Sequence, residues 1–167
     1  MIQLARRVLL IILAVSASAM TVGNPATAGE RKAVSYTSRI GPVVSRSVAP
    51  TGIKPGHELA QVVRQDMTIS NDPDWNEAAV LNYGHTDMAG GAGTVSGYAV
   101  RTHKSGDKSF VSFRGTLRTV EDGGKKDLVG EGTVELTGGT GKFANARGSG
   151  TWTSARGESH IKMDIEY

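Results

Sequence analysis

The stretch GGTGKFANARGSGTW, residues 138–152, decides between a nucleotide-binding loop and the corner of a β-sheet. A P-loop, G-x-x-x-x-G-K-[ST], would need a glycine at Leu136 and a hydroxyl residue at Phe143. The dinucleotide fingerprint G-x-G-x-x-[GA] does match Gly139 to Ala144, but it requires a helix and a further parallel strand downstream. Only strand-like segments follow, so we interpret the stretch as a sheet corner.

This interpretation predicts a local structural motif. A strand ends at the glycine pair, one helical turn follows, and a new strand begins after it. Thr140 is expected to cap the turn, and Phe143 is expected to point back into the core as a plug. The predicted motif comprises Gly138, Gly139, Thr140, Gly141, Phe143, Arg147 and Gly148.

The rest of the chain alternates apolar and polar residues with the period of a β-strand. At the C-terminus, Ile161, Met163 and Ile165 face one way and the intervening polar residues face the other. Clusters of Gly, Asn, Asp and Ser between the alternating segments mark turns. The predicted strands are 59–69, 75–85, 94–103, 108–119, 127–137, 148–154 and 160–167.

These segments predict an all-β fold, an antiparallel up-and-down β-barrel of eight strands, with a β-sandwich as the alternative. The strands are long, and glycines recur on their core-facing register. Such glycines relieve crowding where a sheet coils into a small closed cylinder. The glycines in question are Gly97, Gly115, Gly130, Gly132 and Gly150.

The N-terminal part of the chain has a different composition. Residues 1–28 have the layout of a secretory signal peptide, with Arg6 and Arg7, an apolar run at 8–15 and small residues after it. That run is shorter than the roughly 20 residues of a membrane span, so we expect cleavage and not a membrane anchor. Residues 29–56 are predicted to be a flexible extension with one short strand at 43–48, and 57–167 the barrel domain. The protein is then exported, to the periplasm or the medium.

Composition excludes several classes of function. The chain has no cysteine, which excludes disulfides, thiolate metal sites and cysteine nucleophiles. Its formal charge of +3 includes the two arginines of the predicted signal peptide, and the other charges are interleaved. Nucleic-acid binding needs a concentrated basic stripe, so a nucleic-acid partner is not expected.

The corner sequence also resembles a known family. GGTGKFANARGSG closely resembles the stretch G-G-T-G-x-F-x-x-A-R-G near the C-terminus of dirigent proteins and of the wider allene oxide cyclase-like barrel group. The resemblance implies an eight-stranded antiparallel barrel with a central cavity, often assembled as a trimer. It implies little about chemistry, because the matched stretch is a corner and the group's reacting residues lie on other strands.

Candidate binding residues come from two strands that mix aromatic and ionisable side chains. A small-molecule pocket combines an apolar wall with a few polar groups. The cavity candidates are Trp75, Tyr83, His85, Arg101 and His103; the alternative is a filled core with polar strand ends.

No catalytic residue, metal or cofactor is predicted. The four histidines do not converge, since a hairpin turning at Gly90–Gly91 would pair His85 near Ser96, several positions from His103. No G-x-S-x-G elbow is present for a serine hydrolase. Three functions stay open: a non-enzymatic protein that binds a small apolar or aromatic molecule or serves as a scaffold, a cyclase or isomerase acting in the barrel cavity, and a structural envelope protein with a filled barrel.

Overall fold

The computed structural model describes residues 29–167, which form eight antiparallel strands and one short 3₁₀ turn. The predicted signal peptide, 1–28, lies outside the described residues. The strands are β1 (Arg31–Pro50), β2 (His57–Ile69), β3 (Ala79–Ala89), β4 (Ala92–Thr102), β5 (Lys108–Asp122), β6 (Lys125–Gly139), β7 (Arg147–Ala155) and β8 (Glu158–Glu166), with the 3₁₀ turn at Gly141–Phe143.

The eight strands form one closed sheet. Each strand pairs with its neighbours in sequence, and β8 pairs with β1, so that no edge is left. The prediction of an all-β, up-and-down antiparallel arrangement of eight strands is confirmed, and the two-sheet sandwich is wrong. The hairpin register is also confirmed, because His85 pairs with Ser96.

The predicted flexible extension at 29–56 is corrected. Residues 31–50 form β1, the longest strand, which pairs with β8 through its first half and with β2 through its second half. The pairing with β2 shifts register between Ile40 and Ser45, and Pro42, which has no N–H, falls within this irregular part. The proline and the shift obscured the alternation in the sequence, but Val34 and Tyr36 are buried as regular inward residues of a strand.

The strand predicted at 75–85 begins later than expected. Trp75 lies in the connection between β2 and β3, where the N–H groups of Trp75 and Asn76 both donate to the carbonyl oxygen of Asp72. Glu77 has a φ of 58°, which no strand residue adopts, and β3 starts at Ala79. The indole of Trp75 is nevertheless completely buried.

The corner at 138–152 has the expected course. β6 ends at Gly139, the 3₁₀ turn follows, and β7 begins at Arg147, with Phe143 buried as the predicted plug. Thr140 occupies the N-cap position of the turn, as predicted, but its side chain makes no capping hydrogen bond. Its Oγ1 instead accepts a hydrogen bond from the N–H of Lys108 at 2.9 Å, which joins the corner to the start of β5.

The inward-facing glycines make room for aromatic rings, as expected. A Cβ atom on Gly97 would lie 2.6 Å from Cζ of Phe113, and one on Gly115 would lie 2.6 Å from Cζ2 of Trp152. Both distances are far below van der Waals contact. At these two positions the ring occupies space that a side chain on Gly97 or Gly115 would fill.

The two ends of the closed sheet differ. At one end, here called the hairpin end, two-residue turns at 90–91, 123–124 and 156–157 and a short loop at 51–56 join the strands. At the other end, the plugged end, longer connections at 70–78, 103–107 and 140–146 fold over the opening. This difference determines where the interior is filled and where it is open.

Candidate ligand cavity

Aromatic side chains from three connections close the plugged end. The ring of Phe143 stacks on His103 with centroids 4.1 Å apart, and Trp75 meets both rings edge-on at 5.6 and 5.2 Å. On its other side Trp75 stacks on Tyr36 at 5.3 Å, and its Nε1 donates to Oη of Tyr167 at 3.3 Å. Edge-to-face and offset-stacked contacts at such distances are favourable aromatic geometries. We call these five residues the aromatic plug.

Asp74 ties the connections of the plug together. Its backbone carbonyl oxygen accepts a hydrogen bond from Nδ1 of His103 at 2.8 Å, and its carboxylate forms an ion pair with Lys142 of the corner turn. The ammonium of Lys142 holds the pKa of Asp74 below its ordinary value. Lys32 on β1 forms an ion pair with Asp72, with Nζ and Oδ2 2.7 Å apart. This contact raises the pKa of Lys32.

His103 is held neutral inside the plug. Burial lowers the pKa of His103, and the nearby charge of Arg101 lowers it further, although the carbonyl of Asp74 acts in the opposite direction. Because a carbonyl oxygen can only accept, Nδ1 carries the proton, and Nε2 accepts from Oγ of Ser109 at 2.9 Å. Each ring nitrogen of His103 therefore has a partner.

Ser109 and His103 lie within hydrogen-bond distance of each other, as do the nucleophile and base of a hydrolase. The resemblance does not go beyond this distance. Ser109 is 0% exposed and lies behind the plug, outside the set of residues that line the cavity. A nucleophile must reach its substrate to react. We therefore assign this pair a structural role.

A cavity of about 410 Å³ occupies the interior between the plug and the hairpin end. Ligand pockets commonly measure roughly 300–1,000 Å³. The wall is mostly apolar, and the lining reaches residues next to the hairpin turns, including Asp127 and Gly157. The apolar wall is formed by Val62, Val95, Ala99, Val111, Phe113, Leu117, Val134, Trp152 and Ile161.

Arg101 lies at the floor of this cavity, next to the plug. It is only 4% exposed, and its guanidinium carbon lies 4.7 Å from the ring centroid of Tyr36 and 5.8 Å from that of Trp75. Nε and Nη1 of Arg101 are buried and donate to no acceptor within residues 29–167. The hydroxyl of Tyr36 is likewise buried and unpartnered, and burial raises the pKa of this phenol, which stays protonated.

A second polar side chain, Asp66 on β2, lines the cavity, and neighbouring residues supply its hydrogen bonds. The carboxylate of Asp66 accepts from Nε of Arg64 at 3.1 Å to each oxygen, from the N–H of Gly41 at 3.2 Å and from Nδ2 of Asn82 at 3.5 Å. Asp66 and Arg101 lie in one row of the sheet, separated by Val80 on β3. The carboxylate is already hydrogen-bonded to these three donors, and no ion pair joins it to Arg101 among the described residues.

The structure divides the five predicted cavity residues. Arg101 lines the cavity, while Trp75 and His103 form part of the plug that closes it. Tyr83 and His85 are corrected: both are exposed on the outer face of β3. The prediction assumed that β3 continued from Trp75 in one register. Since the strand starts afresh at Ala79, its even-numbered residues face inward instead.

Sequence reasoning missed the polar residues on the inward register of β2 and β3, namely Arg64, Asp66 and Asn82. Their strands were predicted, and on β2 an arginine and an aspartate two positions apart must share a face. That spacing was the available signal. The partner from β3 could not be found, because its parity depended on the misplaced start of that strand.

Two comparisons with known proteins assign the chain to no family. No protein-family model matches the chain, and no curated protein matches it either. Within residues 29–167 no cluster of three or more potential metal ligands occurs, and none of the helical structure there is long and apolar enough to cross a membrane.

Proposed function

We propose that this protein binds a small apolar or aromatic molecule in the interior of its closed sheet, without catalysing a reaction. The cavity of about 410 Å³ is the observation that carries the proposal. Its wall is mostly apolar with a few polar groups, and its lining reaches the hairpin end. A protein with a purely structural role would gain stability by filling this volume, because interior voids forfeit packing contacts.

The absence of an accessible reactive pair supports binding over catalysis within residues 29–167. The serine and histidine that lie at hydrogen-bond distance are behind the plug. Of the two carboxylates that line the cavity, Asp66 already accepts bonds from Arg64, Gly41 and Asn82, and Oδ2 of Asp127 accepts the N–H of Arg156. A general base needs a free lone pair within reach of the substrate's proton.

Fluorescence titration with the neutral, apolar dye N-phenyl-1-naphthylamine tests the proposal. Gly84 lines the cavity, and the nearest atom to a Cβ there, the carbonyl oxygen of Val62, would lie 3.9 Å away. Gly84→Phe should therefore project a ring into the open volume and abolish dye binding. Ser96→Phe, on the outer face of β4, is the matched control and should bind the dye as the wild type does.

Two outcomes would contradict the proposal. Equal dye binding by wild type and Gly84→Phe would place the dye elsewhere than in the cavity. Native mass spectrometry of protein purified from its own host gives the second test. A co-purifying apolar molecule supports binding, whereas recovery of an added candidate ligand in rearranged form would favour the cyclase or isomerase alternative.

The finer fold assignment, export and assembly are parts of the same proposal. The corner sequence at 138–152 supports a barrel of the allene oxide cyclase and dirigent-like group. Export rests on the layout of residues 1–28 and is tested by the N-terminal mass of the protein made in its host. The trimer implied by the resemblance is tested by light scattering of the purified protein.

A further inference from the structure

Arg101 at the floor of the cavity and Tyr36 in the plug beside it carry hydrogen-bond donors that have no acceptor among the described residues. Nε and Nη1 of Arg101 and the hydroxyl of Tyr36 are all buried, and none has a partner within residues 29–167. Arg101 and Tyr36 are in contact, because the guanidinium lies over the phenol ring at 4.7 Å. Buried polar groups in proteins are satisfied in the great majority of cases, so several unsatisfied donors at one place call for a physical reason.

Aromatic contacts account for only part of the environment of Arg101. A guanidinium over the faces of Tyr36 and Trp75 gains cation–π attraction. A ring face is at most a weak acceptor, so the buried Nε and Nη1 of Arg101 still lack a strong acceptor among residues 29–167. A buried cation without an anion is strongly unfavourable, and arginine cannot escape this by losing its proton.

No anion among the described residues pairs with Arg101. No carboxylate of residues 29–167 lies within ion-pair distance of it. The nearest candidate by sheet position, Asp66, is separated by one strand and is occupied by Arg64, Gly41 and Asn82. The other carboxylate of the lining, Asp127, lies near the hairpin end, where its Oδ2 accepts the N–H of Arg156.

We infer that Arg101 is the binding residue for the carboxylate of an apolar organic acid, which enters from the hairpin end with its acid group foremost. This inference rests on the proposed ligand-binding function and names the chemical class of the ligand. The planar fork of an arginine matches a carboxylate through two parallel hydrogen bonds. The apolar body of the acid lies against Ala99, Val111 and Val134.

The test compares two ligands of the same shape that differ in charge. 2-Naphthoate and 2-naphthamide are measured by displacement of N-phenyl-1-naphthylamine from the wild type, from Arg101→Met and from Arg118→Met. Methionine retains most of the length of the arginine side chain without its charge. Arg118 lies on the exposed outer face of β5, so its variant controls for the loss of one positive charge.

The wild type and Arg118→Met should bind the acid about 10- to 100-fold more tightly than the amide, which is the range for hydrogen bonds to a charged group. Arg101→Met should bind the two ligands equally and retain the dye. At one concentration, 2-naphthoate should raise the melting temperature of the wild type by more than that of Arg101→Met, because the stabilisation grows with affinity.

The possible outcomes distinguish a failure of the anion site from a failure of the proposed ligand-binding function. The anion site is overturned if the wild type binds acid and amide equally, or if Arg101→Met still prefers the acid. In either case, dye binding by the wild type would still support the proposed ligand-binding function. Failure of the dye and both naphthalenes to bind the wild type overturns the proposed function and the anion site with it. If Arg101→Met does not fold, as judged by circular dichroism, the wild-type comparison alone decides.

Discussion

Truncation of Phe143 should unfold the plugged end at a large cost in stability. The ring is 1% exposed and contacts His103, Trp75 and Tyr167 at centroid distances of 4.1, 5.6 and 5.9 Å. Removing a buried phenylalanine side chain costs about 3–5 kcal/mol, which includes the transfer of the ring and the void that it leaves. We expect Phe143→Ala to reach the upper part of that range, because aromatic pairs add about 0.5–1.5 kcal/mol each.

The chain provides its own controls, since its other two phenylalanines occupy different environments. Phe113 lines the cavity, so its truncation enlarges an existing space and should cost about 1–3 kcal/mol. Phe110 is 37% exposed on the outer face of β5 and should cost about 1 kcal/mol or less. The predicted order of destabilisation is therefore Phe143, then Phe113, then Phe110.

Equilibrium unfolding in urea measures the three alanine variants against the wild type. For a domain of this size, each kilocalorie lowers the melting temperature by about 3 °C, so Phe143→Ala should melt about 10 °C or more below the wild type. Phe143→Leu keeps an apolar side chain and should recover part of the loss. A cost for Phe143→Ala no larger than that for Phe110→Ala would refute the claim that the corner turn is a plug.

Two further predictions concern the interior. Gly115→Ala should destabilise the protein by about 1–3 kcal/mol because its Cβ would collide with the backbone carbonyl of Glu131 and with the ring of Trp152, whereas Gly84→Ala, which points into open space, should be tolerated; urea unfolding compares the two. Burial lowers the pKa of His103, so below its ordinary value of about 6.5 the unfolded chain binds the proton more readily than the folded one. Stability should therefore fall on acidification from pH 7.5 to 5, by at most about 1.4 kcal/mol per pH unit from this group. The slope should be smaller in His103→Gln and unchanged in His85→Gln, and equal slopes in all three proteins would contradict the assignment.

Much of the sheet could be predicted because two independent signals agreed. Alternation gave the inward faces of β5, β6 and β8, and glycines on the inward faces of β5 and β6 indicated a tightly curved sheet. The inward position of Phe143 in the plug was predicted because a large apolar side chain in a polar, glycine-rich turn avoids water only by pointing inward. These features depend on neighbouring residues in the chain, which a sequence displays directly.

Features that depend on pairing between distant segments were not predictable. β1 changes partner from β8 to β2 near an irregular stretch, and its outer half is exposed on both faces, so that half shows no alternation. Trp75 was assigned to a strand because it precedes an alternating segment in phase. Only the turn at Asp72 and the left-handed conformation of Glu77 reset the phase, and this placed Tyr83 and His85 outside.

The position of Arg101 links the fold to the proposed function. An interior selected only for stability would place an apolar side chain there, because replacing a buried charge by an apolar residue is often neutral or stabilising. The plug instead places two aromatic rings against the guanidinium, and Nε and Nη1 of Arg101 have no acceptor among residues 29–167. The unfavourable charge thus lies at the one boundary between the filled and the open part of the interior. An anionic ligand could compensate it there, and stability lost in the free protein would be recovered on binding.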